Sequence, residues 1–139
     1  MRDNYPKKIL IADDDNDDCM LAREAFEECG AKANFARVGN GIELMDYLSG
    51  RSLPEAPGLP NLILLDLNMP RKDGREVLLE IKAEPALQHI PIVILTTSEE
   101  PRDLEFTLNA GAESFITKPA SFDAWVKIMK SLTDLWLRG

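Results

Sequence analysis

The chain has 139 residues, 45% hydrophobic and 29% charged, a length and balance that suit one compact domain with a proper core. Its net charge is −8, which argues against the phosphate backbone of nucleic acid as main partner and favours a metal cation or a basic and apolar protein surface. The polar opening MRDNYPKK is no signal peptide, no apolar run reaches the length of a membrane span, and Cys19 and Cys29, ten apart on one predicted helix and without zinc spacing, read as reduced cytoplasmic thiols.

Residues 9–12 form the first uninterrupted apolar run, which predicts a strand covered on both faces. A helix is predicted over 16–29, burying Met20, Leu21, Ala25, Phe26 and Cys29. A weaker run at 34–38 gives the second strand, and 41–49 the second helix, with Ile42, Leu44, Met45 and Leu48. Residues 50–60 contain three prolines and read as a loop. The third strand is Leu62–Leu65 and the third helix 74–83, with Val77, Leu78 and Ile81. Residues 92–95 give the fourth strand, and 102–110 a helix placing Leu104 and Leu108 inward. Ser114–Thr117 is the fifth strand, and 122–137 the last helix, with Phe122, Val126, Met129 and Trp136.

Five β–α units in succession predict an α/β fold, a five-stranded doubly wound parallel sheet of flavodoxin-like type. Ligands of such sheets sit at the carboxyl ends of the strands. There the sequence places Asp13 to Asp18 (DDDNDD) after the first strand, Asp66 after the third, Thr96-Thr97-Ser98 after the fourth and Lys118-Pro119 after the fifth. Carboxylates gathered from two strand ends repel one another, and a divalent cation relieves the repulsion. Mg²⁺, which prefers hard oxygen ligands and is commonly held by one or two carboxylates plus phosphate, suits the set. Asp66, at a sharp exit from a buried strand, is fixed yet reachable, as a carboxylate nucleophile towards a phosphoryl group must be. The Thr96 hydroxyl and Lys118 ammonium would share the charge on the phosphoryl oxygens.

The segments ILIADDD at 9–15, LILLDLNMPRKDG at 62–74, IPIVILTTS at 90–98 and AGAESFITKP at 110–119, in this order and spacing, resemble the CheY-like receiver domains of two-component response regulators over nearly the whole chain. The resemblance implies a single receiver domain over 1–139 with no output domain, and Asp66 as phosphoacceptor. It implies Asp13, Asp14, Asp66 and the backbone carbonyl of Asn68 as ligands of Mg²⁺, with Asp14 the more direct of the acidic pair. Thr96 becomes the switch hydroxyl, Lys118 the phosphate-pairing lysine and Phe115 the switch aromatic. It also implies a cis Lys118–Pro119 peptide and Asp73-Gly74 at the start of the third helix. LMDYL at 44–48, the long loop before the third strand, ILTTS and the Leu135-Trp136-Leu137 tail resemble the regulators paired with bacterial and cyanobacterial phytochrome kinases. That likeness implies a phytochrome-type histidine kinase as phosphoryl donor, a homodimer as a compatible assembly, a cytoplasmic location, and neither nucleic acid nor membrane as partner. The chain would catalyse its own phosphorylation and dephosphorylation and have no other enzymatic role.

Plainer readings stand beside these. Asp15 or Asn16, with Asp17 and Asp18, can cap the first helix and suit its dipole. A calcium loop starting at Asp13 fails where an EF-hand needs glycine, since Asp18 stands there. Thr96 and Thr97 could cap the fourth helix, although Ser98 is the better cap, and Phe115 could be plain core. Phe106 lies about 200° round the helix from Leu104 and Leu108, which places it at the surface and suggests an interface. His89, the only histidine, reads as a surface residue. Nothing completes a nucleotide-binding glycine loop. The rivals in function are an FMN protein of the same topology, for which the aspartate cluster is the wrong phosphate loop, and a pseudo-receiver that only binds partners.

Overall fold

A computed structural model of the chain describes residues 7–30, 32–49 and 59–137. The elements alternate as expected: β1 Lys7–Ala12, α1 Asn16–Glu28, β2 Ala33–Val38, α2 Gly41–Ser49, β3 Leu62–Leu65, α3 Gly74–Ala83, β4 Ile92–Thr96, α4 Pro101–Asn109, β5 Ser114–Thr117 and α5 Phe122–Leu132. A π-helical turn, Thr133–Leu137, follows α5, so the last predicted helix divides at Leu132. All strands are parallel, in the order β2-β1-β3-β4-β5. Most of the predicted 50–60 loop lies outside the described residues.

The uninterrupted apolar runs are buried on both faces because two helical layers cover the sheet. Leu10, Ala12, Ile63, Leu65, Ile92 and Ile94 point to one side, where Leu44, Leu48, Val77, Leu78 and Ile81 of α2 and α3 meet them. Ile9, Ile11, Leu62, Leu64, Val93 and Leu95 point to the other, against Ala22, Ala25 and Phe26 of α1 and Trp125, Met129 and Leu132 of α5. Removing each such leucine or isoleucine from water contributes roughly 1.5–3 kcal/mol. The carboxyl ends of β1 and β3 lie side by side, and the strand order reverses between them, since β1 leads outward to β2 and the chain then crosses back to β3.

Four helix faces differ from expectation. In α1 and α2, Met20 and Ile42 face solvent, while Cys19 and Ala22 fill the inner positions of α1 and Gly41 lies on the inner side of α2. In α5 the inner tryptophan is Trp125 and Phe122 is exposed. In α4, Leu104 and Leu108 are 42% and 43% exposed and the inner residues are Asp103 and Thr107. The reason is a polar network. Arg75 and Ser98 bind the Asp103 carboxylate, and the Thr107 hydroxyl donates to the Asp103 carbonyl at 2.8 Å. Phe106 is 38% exposed, as expected.

Candidate functional site

Ala12 and Leu65 pair in register, so the next residue of each strand lies on the same rim. The Asp66 amide donates to the Ala12 carbonyl at 3.0 Å, and the Asp13 amide to the Val38 carbonyl at 3.1 Å. Both aspartates are therefore fixed through their backbones, and both side chains are buried. The chain then turns sharply into helices. Asp15 caps α1, accepting from the Asp18 amide at 3.0 Å. Asp73 caps α3 in a capping box with Glu76, confirming the expected helix start at Asp73-Gly74. The cap of α4 is Glu100, without a side-chain hydrogen bond, rather than Ser98. Ser98 is engaged instead as a donor to Asp103 at 2.6 Å, and Pro101 starts the helix.

At the centre is the Lys118 ammonium. It lies 2.7 Å from Asp13 Oδ2, 2.7 Å from Asp18 Oδ2 and 3.1 Å from Asp66 Oδ2, and its side chain is almost wholly buried. The Lys118 amide donates to the Thr96 carbonyl at 2.8 Å, which ties the end of β5 to the end of β4. Burial alone would lower the basicity of Lys118, but hydrogen bonds to Asp13 and Asp18 hold it above its ordinary value. Burial pushes the Asp13 carboxyl up to about 6, although Lys118 and the Asp15 amide pull the other way.

Asp13, Asp14 and Asp66 bring one carboxylate oxygen each to within 4.8 Å of one another. Asp14 is exposed, while the other two are buried. Hard anionic donors at this spacing fit a small divalent cation. The Asn68 amide donates to Asp66 Oδ1 at 3.2 Å, setting the orientation of that carboxylate. Thr96 is fully buried at the end of β4, and its hydroxyl oxygen accepts from the Ser98 amide at 3.4 Å. Phe115 is half-buried beside Ile94 on β4 and packs on the core below. The described residues contain no cis peptide, so Lys118–Pro119 is trans, the intrinsically favoured state even before proline.

Two contributors were not singled out as site residues from the sequence. Asp18 was assigned to helix capping within the acidic run, yet its side chain also reaches Lys118. Arg37, on β2, donates to the Asp13 carbonyl at 3.0 and 3.2 Å and to Asn16 Oδ1 at 2.6 Å, bracing the turn that carries the acidic pair. Its only signal was a basic residue inside a weak strand. Phe106 stands apart, on a groove shared with Asn68, Arg75, Ser98 and Arg102. His89 is exposed, as expected.

Residues 9–130 match the response regulator receiver domain family. The chain belongs to that family. It is 36% identical over 134 residues to the response regulator Rcp1 of Synechocystis sp., covering 96% of this chain and 91% of that protein. Among solved structures, the Mn²⁺-bound form of Rcp1 superposes with a TM-score of 0.86 at 35% identity, covering 96% of each chain. The phosphorylated cyanobacterial phytochrome response regulator RcpA superposes with a TM-score of 0.88 at 38% identity, covering 96% of this chain and 95% of that one. The receiver therefore takes its place in a two-component phosphorelay with a histidine kinase as partner, and the pseudo-receiver alternative is not favoured. Among the described residues no helix is long and apolar enough to cross a membrane.

Proposed function

We propose that Asp66 is the phosphoacceptor of this receiver and that it catalyses its own phosphorylation and dephosphorylation. The observation that carries this reading is the Lys118 ammonium 3.1 Å from Asp66 Oδ2, beside a three-carboxylate cluster that fits a divalent cation. Asp13, Asp14, Asp66 and the Asn68 backbone carbonyl would hold Mg²⁺. When bound, the ion supplies charge neutralisation to the phosphoryl oxygens.

A carboxylate oxygen of Asp66 bonds to phosphorus as the bond from phosphorus to the donor's imidazole nitrogen breaks. The imidazole keeps the electron pair and takes a proton from solvent. Lys118 stabilises one phosphoryl oxygen as it transfers. In the reverse role, water attacks phosphorus and the Asp66 carboxylate leaves with the electron pair, releasing inorganic phosphate. Thr96 donates its hydroxyl to the bound phosphoryl group, and Phe115 follows into the space Thr96 leaves, remodelling the surface of α4, β5 and α5. The output is a changed affinity for a partner, in the cytoplasm, without nucleic acid. The likeness to Rcp1 and RcpA supports a phytochrome-type kinase as donor and a homodimer in which Phe106 takes part.

The test is intact mass after incubation with acetyl phosphate, with Mg²⁺ and with chelator, alongside Asp66→Asn. The expected result is one phosphoryl adduct that requires Mg²⁺ and is missing in the variant. Folded protein without an adduct, from acetyl phosphate and from a kinase donor alike, would return the chain to the pseudo-receiver reading.

A further inference from the structure

We propose that Asp18 is a positioning residue for phosphoryl transfer, holding the Lys118 ammonium over Asp66 throughout the cycle; this rests on Asp66 being the phosphoacceptor. An ammonium has three N–H donors and no more. In Lys118 all three have carboxylate acceptors, on Asp13, Asp18 and Asp66. The three partners differ in what else they must do. Asp13 and Asp66 also belong to the acidic triad with Asp14, and Asp66 is the atom-bearing nucleophile. A cation on the triad, or a phosphoryl group on Asp66, draws on those two acceptors. Asp18 is outside the triad and binds the ammonium from the first turn of α1, so it remains as the anchor.

Its own placement is firm. The Asp18 amide donates to the Asp15 cap at 3.0 Å, and the side chain is only 24% exposed. Without it, a flexible four-carbon side chain carrying a buried charge would settle on the remaining carboxylates, Asp13 above all, and leave the position that meets the phosphoryl oxygen. Misplacement of a charge-stabilising group by about an ångström is enough to slow a transfer by one to two orders of magnitude.

The experiment measures phosphorylation by acetyl phosphate at saturating Mg²⁺ in wild type, Asp18→Ala, Asp18→Asn, Lys118→Ala and the double variant Asp18→Ala/Lys118→Ala. Asp18→Ser, too short to reach Lys118, replaces Asp18→Ala should that protein not fold. Asp18→Ala should be slower by roughly 10-fold. Asp18→Asn, which keeps an acceptor oxygen, should recover most of the rate. The Asp18 substitution should have no further effect once Lys118 is gone, and in chelator the two substitutions should be non-additive in stability. A wild-type rate in Asp18→Ala, failure of Asn to rescue, or an equal slowing in the Lys118→Ala background each overturns the proposal. Wild type that takes no phosphoryl group would instead sink the assignment of Asp66.

Discussion

The guanidinium of Arg75 grips the carboxylate of Asp103 through two parallel hydrogen bonds, Nε to Oδ1 at 3.0 Å and Nη2 to Oδ2 at 2.9 Å. This fork joins the start of α3 to the inner face of α4, and Ser98, two residues beyond Thr96, adds a third bond. Hydrogen bonds from Arg75 and Ser98 hold the Asp103 carboxyl below its ordinary range. Arg75→Ala should therefore lower stability at neutral pH by roughly 1–2 kcal/mol, a figure discounted because the arginine is about one-third exposed. Asp103 titrates lower in the folded state, so its contribution is fully present above the unfolded pKa of about 4 and disappears as pH falls through the folded value. Urea midpoints of wild type and Arg75→Ala should converge in acid. A gap that stays constant down to about pH 3 would contradict the carboxylate as its source.

The same fork explains where sequence reading stopped. Strands such as Leu62–Leu65 are legible because a strand buried on both faces has no polar residue to disguise it. The site was legible for a related reason: Asp66 and Lys118 each end an apolar run, and topology brings the run ends together. Helix α4 was not legible in the same way. Leu104 and Leu108 predict an apolar inner face, but the partners that draw Asp103 inward lie 28 and 5 residues away, and no periodicity within the helix encodes Arg75. Asp18 was read as a cap for the same reason, since its link to Lys118 spans 100 residues.

Gly74 touches the Asp66–Leu67 segment from behind. A Cβ there would collide with the Asp66 carbonyl oxygen and lie 2.8 Å from the Leu67 Cα, both backbone atoms that cannot rotate away. Gly74→Ala should destabilise by roughly 2–3 kcal/mol and slow phosphorylation, because relief requires moving Asp66 itself. Gly39→Ala is the control, meeting only the Glu43 carboxylate at 3.4 Å, and should stay within about 0.5 kcal/mol. Equal thermal midpoints for the two variants would show that the segment yields more easily than close packing implies.

Phe106 is exposed, so removing its ring costs the folded monomer little. Phe106→Ala should unfold within about 0.5 kcal/mol of wild type. If the ring serves a homodimer, sedimentation at micromolar concentrations should show wild type with a dimer fraction that the variant lacks. Identical sedimentation of the two would remove Phe106 from any self-interface.

The acidic cluster makes the sharpest metal prediction. Asp14 is exposed, while Asp13 is buried with its carboxyl pushed up to about 6. A raised folded-state pKa contributes stability that is present below the unfolded value near 4 and is lost as pH rises through 6, when a buried charge must form. A cation that binds the folded state offsets that loss. Mg²⁺ at ten times its dissociation constant should add about 1.4 kcal/mol. The gain should grow between about pH 5 and pH 7.5, as Asp13 gives up its proton more readily to the metal. Asp14→Ala should abolish most of the gain while leaving the metal-free midpoint unchanged or higher, because it removes an exposed negative charge from a crowded rim and no partner of Lys118. Thermal unfolding of both proteins with Mg²⁺ and with chelator at the two pH values checks every part. A Mg²⁺ effect that survives in Asp14→Ala, or that does not vary with pH, would place the cation elsewhere.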